Sequence, residues 1–225
     1  MSTRLAQPIL VNQEHIAATQ EMWQSLSGWQ HTDAALRLAK THFDDDSDLD
    51  TVLLKAVLLD KLYATNVTYH LDLIEVAAKI VKVWGSEGSS RQKVMKLAKV
   101  SVRNKDRYLT SFASKYVHFF YDDSVPVYDW YAALALARHY GFPQNRIEEW
   151  RKEYEDYGAK IDTLRQKSRI YADAREMDHY LWLAGNWVWL QKRREKAGIN
   201  KELRAFFDNP VKGQLAEATF GGLLK

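Results

Sequence analysis

The stretch LTSFASKYVHFFYDDSVPVYDW, residues 109–130, decides how the chain is read. Its residues predict a turn, then a short helix with Lys115 on the first turn. An acidic loop without glycine follows, and Pro126 leads into a second helix that opens at Asp129. A lysine and an aspartate thus fall at or near the starts of consecutive helices, where backbone N–H groups are unpaired and the helix field favours an anion.

The chain has 225 residues and no cysteine. That length buries a substantial core without staples. The missing thiols exclude thiol catalysis, Cys-ligated zinc and an iron–sulfur cluster. No uncharged run approaches the ~18 residues of a bilayer span, and residues 1–11 lack the charged-then-apolar pattern of a signal peptide. The expectations are a cytoplasmic monomer with no membrane partner and no cofactor. The net charge of +3 says little about nucleic acid by itself; its distribution says more.

Upstream, residues 2–11 read as a loose arm. Gln13 to Ser25 has helical spacing, with Ile16, Met22, Trp23 and Leu26 near one face, and Thr32 to Thr41 is a second helix. DDDSDLD, Asp44 to Asp50, lacks the central glycine of a calcium loop, and Lys55 stands where the distal glutamate belongs. It therefore reads as a solvated loop ending in an N-cap at Asp50, with no metal. Thr51 to Tyr63 is apolar enough for a buried helix. Ala64 to Gly85 follows, with Leu71, Ile74, Ala77, Ala78 and Val81 as its core stripe and Gly85 as the stop.

SEGSSR, Ser86 to Arg91, is a linker-like break. Beyond it a basic run, Arg91, Lys93, Lys96, Lys99, Arg103, Lys105, Arg107 and Lys115, faces one acid, Asp106. A solvated helix face usually mixes signs, so this run is a candidate phosphate-tracking surface. Asp129 to Tyr140 is a helix stopped by Gly141 and Pro143. Gln144 to Lys167 is a long charged helix or pair, with Ile147, Trp150, Tyr154 and Tyr157 on its apolar line. Asp173 to Lys196 carries the core cluster Leu181, Trp182, Leu183, Trp187, Trp189 and Leu190, before a break at residues 198–200, a short helix and a frayed tail. Alternation of period two never persists, so no strand is expected. The class is all-α, a bundle of about eight to ten helices.

These segments resemble the helix-hairpin-helix superfamily of DNA glycosylases. There a hairpin reading Leu-Pro-Gly-Val-Gly-x-Lys joins two helices, and a short Pro-Val-Asp loop follows with a catalytic aspartate. On that pattern Leu109 takes the place of the leucine, Thr110 of the proline and Ser111 and Ala113 of the glycines. Lys115 stands for the lysine that some members use as nucleophile. Pro126, Val127 and Asp129 stand for Pro-Val-Asp, with Tyr128 as an extra residue. The resemblance covers residues 51–140 and implies a helix-hairpin-helix-like core there, with residues 1–50 packing on the C-terminal helices and residues 141–225 completing one compact unit. It also implies DNA as partner, double-stranded and carrying a modified or damaged base. The backbone would meet the basic run, Ser111 and Ser114, and Asn66 would fill the gap left by an extruded base. Tyr69, His70, His118, Tyr128 and Trp130 are the candidates for the base pocket. SFASKYVHFF is further similar to a bacterial branch that includes phage-defence glycosylases acting on modified cytosines.

A base is cut from its sugar only after leaving the stack, and the sugar then passes through an oxocarbenium-like state that needs a fixed anion. Asp129 would supply that anion; otherwise it caps a helix. Lys115 would attack the sugar carbon as an amine, bind phosphate or the Asp129 carboxylate as a cation, or sit on the surface without a role. Two other readings stand beside base excision: a non-catalytic helical DNA-binding or scaffold protein, and a purely structural interaction module.

Overall fold

The computed structural model describes residues 8–69, 71–102, 105–193 and 198–224, with Tyr69 described by its backbone alone. In chain order the α-helices are α1 (Gln13–Gln24), α2 (Ser27–His42), α3 (Leu49–Tyr63), α4 (Leu73–Trp84), α5 (Ser90–Ala98) and α6 (Thr110–Phe120). They continue as α7 (Trp130–Tyr140), α8 (Asn145–Trp150), α9 (Tyr154–Ser168), α10 (Ala174–Lys192), α11 (Lys201–Asp208) and α12 (Pro210–Phe220). Strands β1 (Lys99–Val102) and β2 (Lys105–Tyr108) separate α5 from α6. The protein is all-α, and among the described residues this hairpin is the one departure.

Local chemistry sets most of these boundaries. Asp173 and Glu176 form a reciprocal capping box at the start of α10, and Ser89 and Gln92 do the same for α5. Asn12, Asp48, Asp72 and Asn209 each accept a backbone N–H at the mouths of α1, α3, α4 and α12. The cap of α3 is therefore Asp48, two residues before the expected Asp50. Two other acids of that loop also have partners: Asp45 accepts from the Ser47 backbone and hydroxyl, and Asp46 pairs with the buried Lys55.

The chain divides into two units. One holds residues 29–128 and 151–156 and contains α3 to α6, the hairpin and most of α2. Within it α3 packs on α4 and α6, and α5 packs on α6. The expected helix from Ala64 is shorter than expected. A 3-10 turn at Val67–Tyr69 precedes α4, whose buried side is Val76, Ala77, Ile80 and Val83. Ile74 is 54% exposed and Ala78 is exposed. Helix α4 is apolar around more than half its circumference, so periodicity alone allowed two overlapping stripes and the wrong one was favoured.

The absence of strands is also corrected. Lys99 pairs with Tyr108, Val100 with Arg107, Ser101 with Asp106 and Val102 with Lys105 in an antiparallel ladder. Four residues per strand are too few for a period to show in sequence, and an isolated two-stranded ribbon is marginal in water. This one is fixed at its base. The Leu109 N–H donates to the Ala98 carbonyl at 2.8 Å, the Arg151 Nε to Tyr108 at 2.9 Å, and the Lys79 ammonium to the Leu97 and Lys99 carbonyls. Beside it lies a cavity of about 240 Å³ lined by Leu71, Val76, Ile80, Leu97, Val100 and Phe112, among others.

The other unit holds the residues up to 28, residues 129–150 and residues from 157 onward. Helix α10 packs on α7, α1 and α12. Leu181, Leu183, Trp187 and Leu190 are buried in it, as are Ile16, Met22, Trp23 and Leu26 from α1 and the turn after it. Gly185 allows the close approach of α10 to α7, because a Cβ there would stand 1.8 Å from the Tyr131 carbonyl oxygen. The expected loose arm is tied down from Pro8. The Ile9 N–H donates to the His139 carbonyl at 2.7 Å, the His139 Nδ1 meets the Ile9 carbonyl at 2.5 Å, and the Val11 N–H donates to the Ser168 hydroxyl at 3.1 Å.

Candidate functional site

Helix α6 is buried from Phe112 to Phe120, because it is covered by α3 and α5 and carries apolar or small residues on nearly every side. Lys115 shares this burial at 4% exposure, so it is not a surface lysine. Its Nζ donates to the Ser111 hydroxyl one turn earlier, at 2.8 Å, and lies 5.6 Å from the centroid of the Tyr63 ring. The Tyr63 hydroxyl donates in turn to the buried Asp33 carboxylate of α2. An ammonium out of water needs such partners, and the ring face and hydroxyl oxygen supply them.

Side chains fix the loop after α6 at three points. The His118 Nδ1 meets the Val125 carbonyl at 2.9 Å, the Tyr154 hydroxyl donates to the Pro126 carbonyl, and the Tyr128 N–H donates to the Ser114 Oγ at 2.9 Å. The residue before Asp129 is therefore tied to the residue before Lys115. Ser114 is fully buried in this role, which corrects its expected place on the DNA backbone. His118 and Tyr128, expected near a base, are each 4% exposed, and the His118 ring holds the loop.

Asp129 lies in the second unit as the N-cap of α7. Its backbone is extended, with φ −133° and ψ 149°, and its half-buried carboxylate accepts the Tyr131 N–H at 2.9 Å. That places an anion at the positive end of the helix. Burial, and then the Asp129 charge, push the Tyr131 phenol above its ordinary range. Trp130 is half-buried and meets Trp189 edge-on, with ring centroids 4.8 Å apart.

Ser111 and Ala113 are already inside α6 rather than in a tight hairpin. Neither is glycine, and both accept helical backbone readily, so the chain is already helical from Thr110. Asn66 is exposed in the expected turn and adopts the left-handed conformation, φ 58°. Asp60 braces that turn by accepting from the Thr65 hydroxyl, the Val67 N–H and the Thr68 hydroxyl. His70, Arg103 and the Tyr69 side chain lie outside the described residues.

The basic run separates by partner. The Lys93 ammonium caps the Trp84 carbonyl at 3.0 Å and lies 4.3 Å from the Trp84 ring centroid; Lys96 donates to the Ser86 hydroxyl and the Glu87 carbonyl. Lys99 pairs with Asp106 at 3.0 Å, which holds its ammonium above the usual range. Arg91 is half-buried, whereas Lys105 and Arg107 are exposed. Sequence reasoning missed Asp33, Tyr63, Lys79 and Tyr154. The helix pattern hides them, since each acts on a partner far along the chain.

Residues 13–124 match the family HI_0787_N, described as an N-terminal domain; the match includes Lys115 and the basic run and stops short of Asp129. An uncharacterized protein of Haemophilus influenzae is 26% identical over 155 residues, which is 64% of this chain and 71% of that protein. No solved structure matches the chain. In sequence, then, the chain is similar over residues 13–124 to that family and more broadly to the Haemophilus influenzae protein.

Proposed function

We propose that the protein is a DNA glycosylase that rotates a modified or damaged base out of the helix and cleaves its N-glycosidic bond, in the manner of a phage-defence enzyme. The observation that carries this reading is the three-point clamp on residues 125–128, directly before the helix-capping Asp129 in sequence. Buried backbone groups need partners in any loop, and here those partners also hold still the residue that precedes the Asp129 carboxylate. A carboxylate presented to a reacting sugar needs such fixing, because a misplacement of about 1 Å is costly in rate.

In the proposed reaction the glycosidic bond breaks with its electron pair going to the base, which takes up a proton. The Asp129 carboxylate stabilises the positive sugar, and water adds to the sugar carbon and loses a proton. If the Lys115 amine attacks instead, a Schiff base forms and strand cleavage follows.

The test is incubation with duplexes carrying varied modified bases, followed by alkali to reveal abasic sites. Wild type should give cleavage and Asp129→Asn none, with DNA binding retained in both. Full activity in the variant removes Asp129 from the chemistry. A borohydride-trapped adduct that disappears in Lys115→Ala assigns the amine route. The Asp129 bond to Tyr131 equally suits a non-catalytic DNA-binding protein, for which no abasic sites form and Asp129→Asn costs only stability, about 1 kcal/mol.

A further inference from the structure

We infer that strand β2 is the part of the basic run that grips the DNA backbone, through Lys105 and Arg107, while Lys93, Lys96 and Lys99 serve the protein. This rests on DNA being the partner and not on any base being excised.

The assignment follows from where each cation is already engaged. Lys93 and Lys96 donate to the Trp84 and Glu87 carbonyls, so their charges close the turn between α4 and α5. Lys99 is offset by Asp106, and the register places these two on one side of the ribbon. Lys105 lies opposite Val102 and Arg107 opposite Val100, so the two cations share the other side. Both side chains are exposed, and among the described residues neither has a hydrogen-bond or ion-pair partner. One side of the ribbon is thus balanced in charge and the other carries two uncompensated cations two residues apart.

The anchoring supports the same reading. Bonds from Arg151, Lys79 and Leu109 root the base, and the strands carry the ribbon about 10 Å beyond it at about 3.4 Å per residue. A rooted ribbon with charged edges resists pairing with other strands and holds its cations without the entropy loss of a mobile loop. Phosphates are the partner this charge fits.

The experiment measures binding of the full chain to an unmodified, labelled DNA duplex by anisotropy over a series of salt concentrations. Each phosphate contact contributes about 0.9 to the slope of log affinity against log salt, so Lys105→Ala with Arg107→Ala should lower the slope by about 1.8. Lys93→Ala with Lys96→Ala should leave the slope unchanged. Equal effects from the two pairs, or no change from the ribbon pair, overturns the assignment. So does tighter binding to single-stranded RNA, or failure of wild type to bind the duplex. Because no base is excised in this assay, absence of glycosylase activity leaves its outcome intact.

Discussion

Lowering the pH from 7.5 to 4.5 should remove about 2.5 kcal/mol of stability through His139 alone. This imidazole is 1% exposed, with its Nδ1 against the Ile9 carbonyl and its Nε2 3.2 Å from the Tyr180 hydroxyl. Burial pushes it down from 6.5 to about 4; the Ile9 carbonyl opposes that shift and His15 adds to it. The folded protein therefore keeps His139 neutral in a range where the unfolded chain takes up a proton. Its contribution is complete above pH 6.5 and is lost as pH falls from there to about 4. The gap corresponds to about 3.4 kcal/mol below both values, at about 1.4 kcal/mol for each tenfold.

Urea unfolding followed by far-ultraviolet circular dichroism, at pH 7.5, 5.5 and 4.5, would measure the loss in wild type and in His139→Gln. The variant cannot be charged in this range and should lose about 2.5 kcal/mol less. His15 is also held below its ordinary range by burial and is present in both proteins, so it leaves only its coupling to His139 in the comparison. Asp60 and Asp122 act lower still. Burial pushes their carboxyls up, but their hydrogen bonds outweigh it and leave both below the ordinary 3.8, so their contributions fade only below that value. Equal losses in wild type and variant would refute the assignment.

Two further substitutions test the packing. Gly185→Ala should cost at least about 3 kcal/mol by thermal or urea unfolding, since a methyl 1.8 Å from the Tyr131 carbonyl forces α7 and α10 apart. Asp46→Ala should cost about 3–5 kcal/mol and Lys55→Met clearly less. The Lys55 side chain is 1% exposed and would be left as a bare buried cation, whereas Asp46 at 24% can turn to water; the reverse order would show that the pair is not what holds the loop.

The helices were legible because their ends carry their own instructions. Asp129 caps α7, Gly141 takes the left-handed conformation that ends it, and the Asp173 box opens α10. The apolar line Ile147, Trp150, Tyr154 and Tyr157 is fully buried, as its spacing indicated. What stayed hidden depends on residues meeting across the chain. Lys115 gave no sign of burial, because the ring that covers it, Tyr63, is far upstream and is itself bonded to Asp33. The ribbon was hidden by its shortness, and the buried face of α4 by an excess of apolar positions. Within the candidate site the loop and its Pro-led approach to Asp129 were visible in sequence. The His118, Ser114 and Tyr154 clamps were not, since residue type alone does not tell a pocket-lining histidine from one that holds a carbonyl.

Helix α1 packs on α10, about two thirds of the chain away, while residues 29–128 make their contacts largely among themselves. During synthesis the middle section is therefore free to settle early, with α1 left waiting until α10 has emerged.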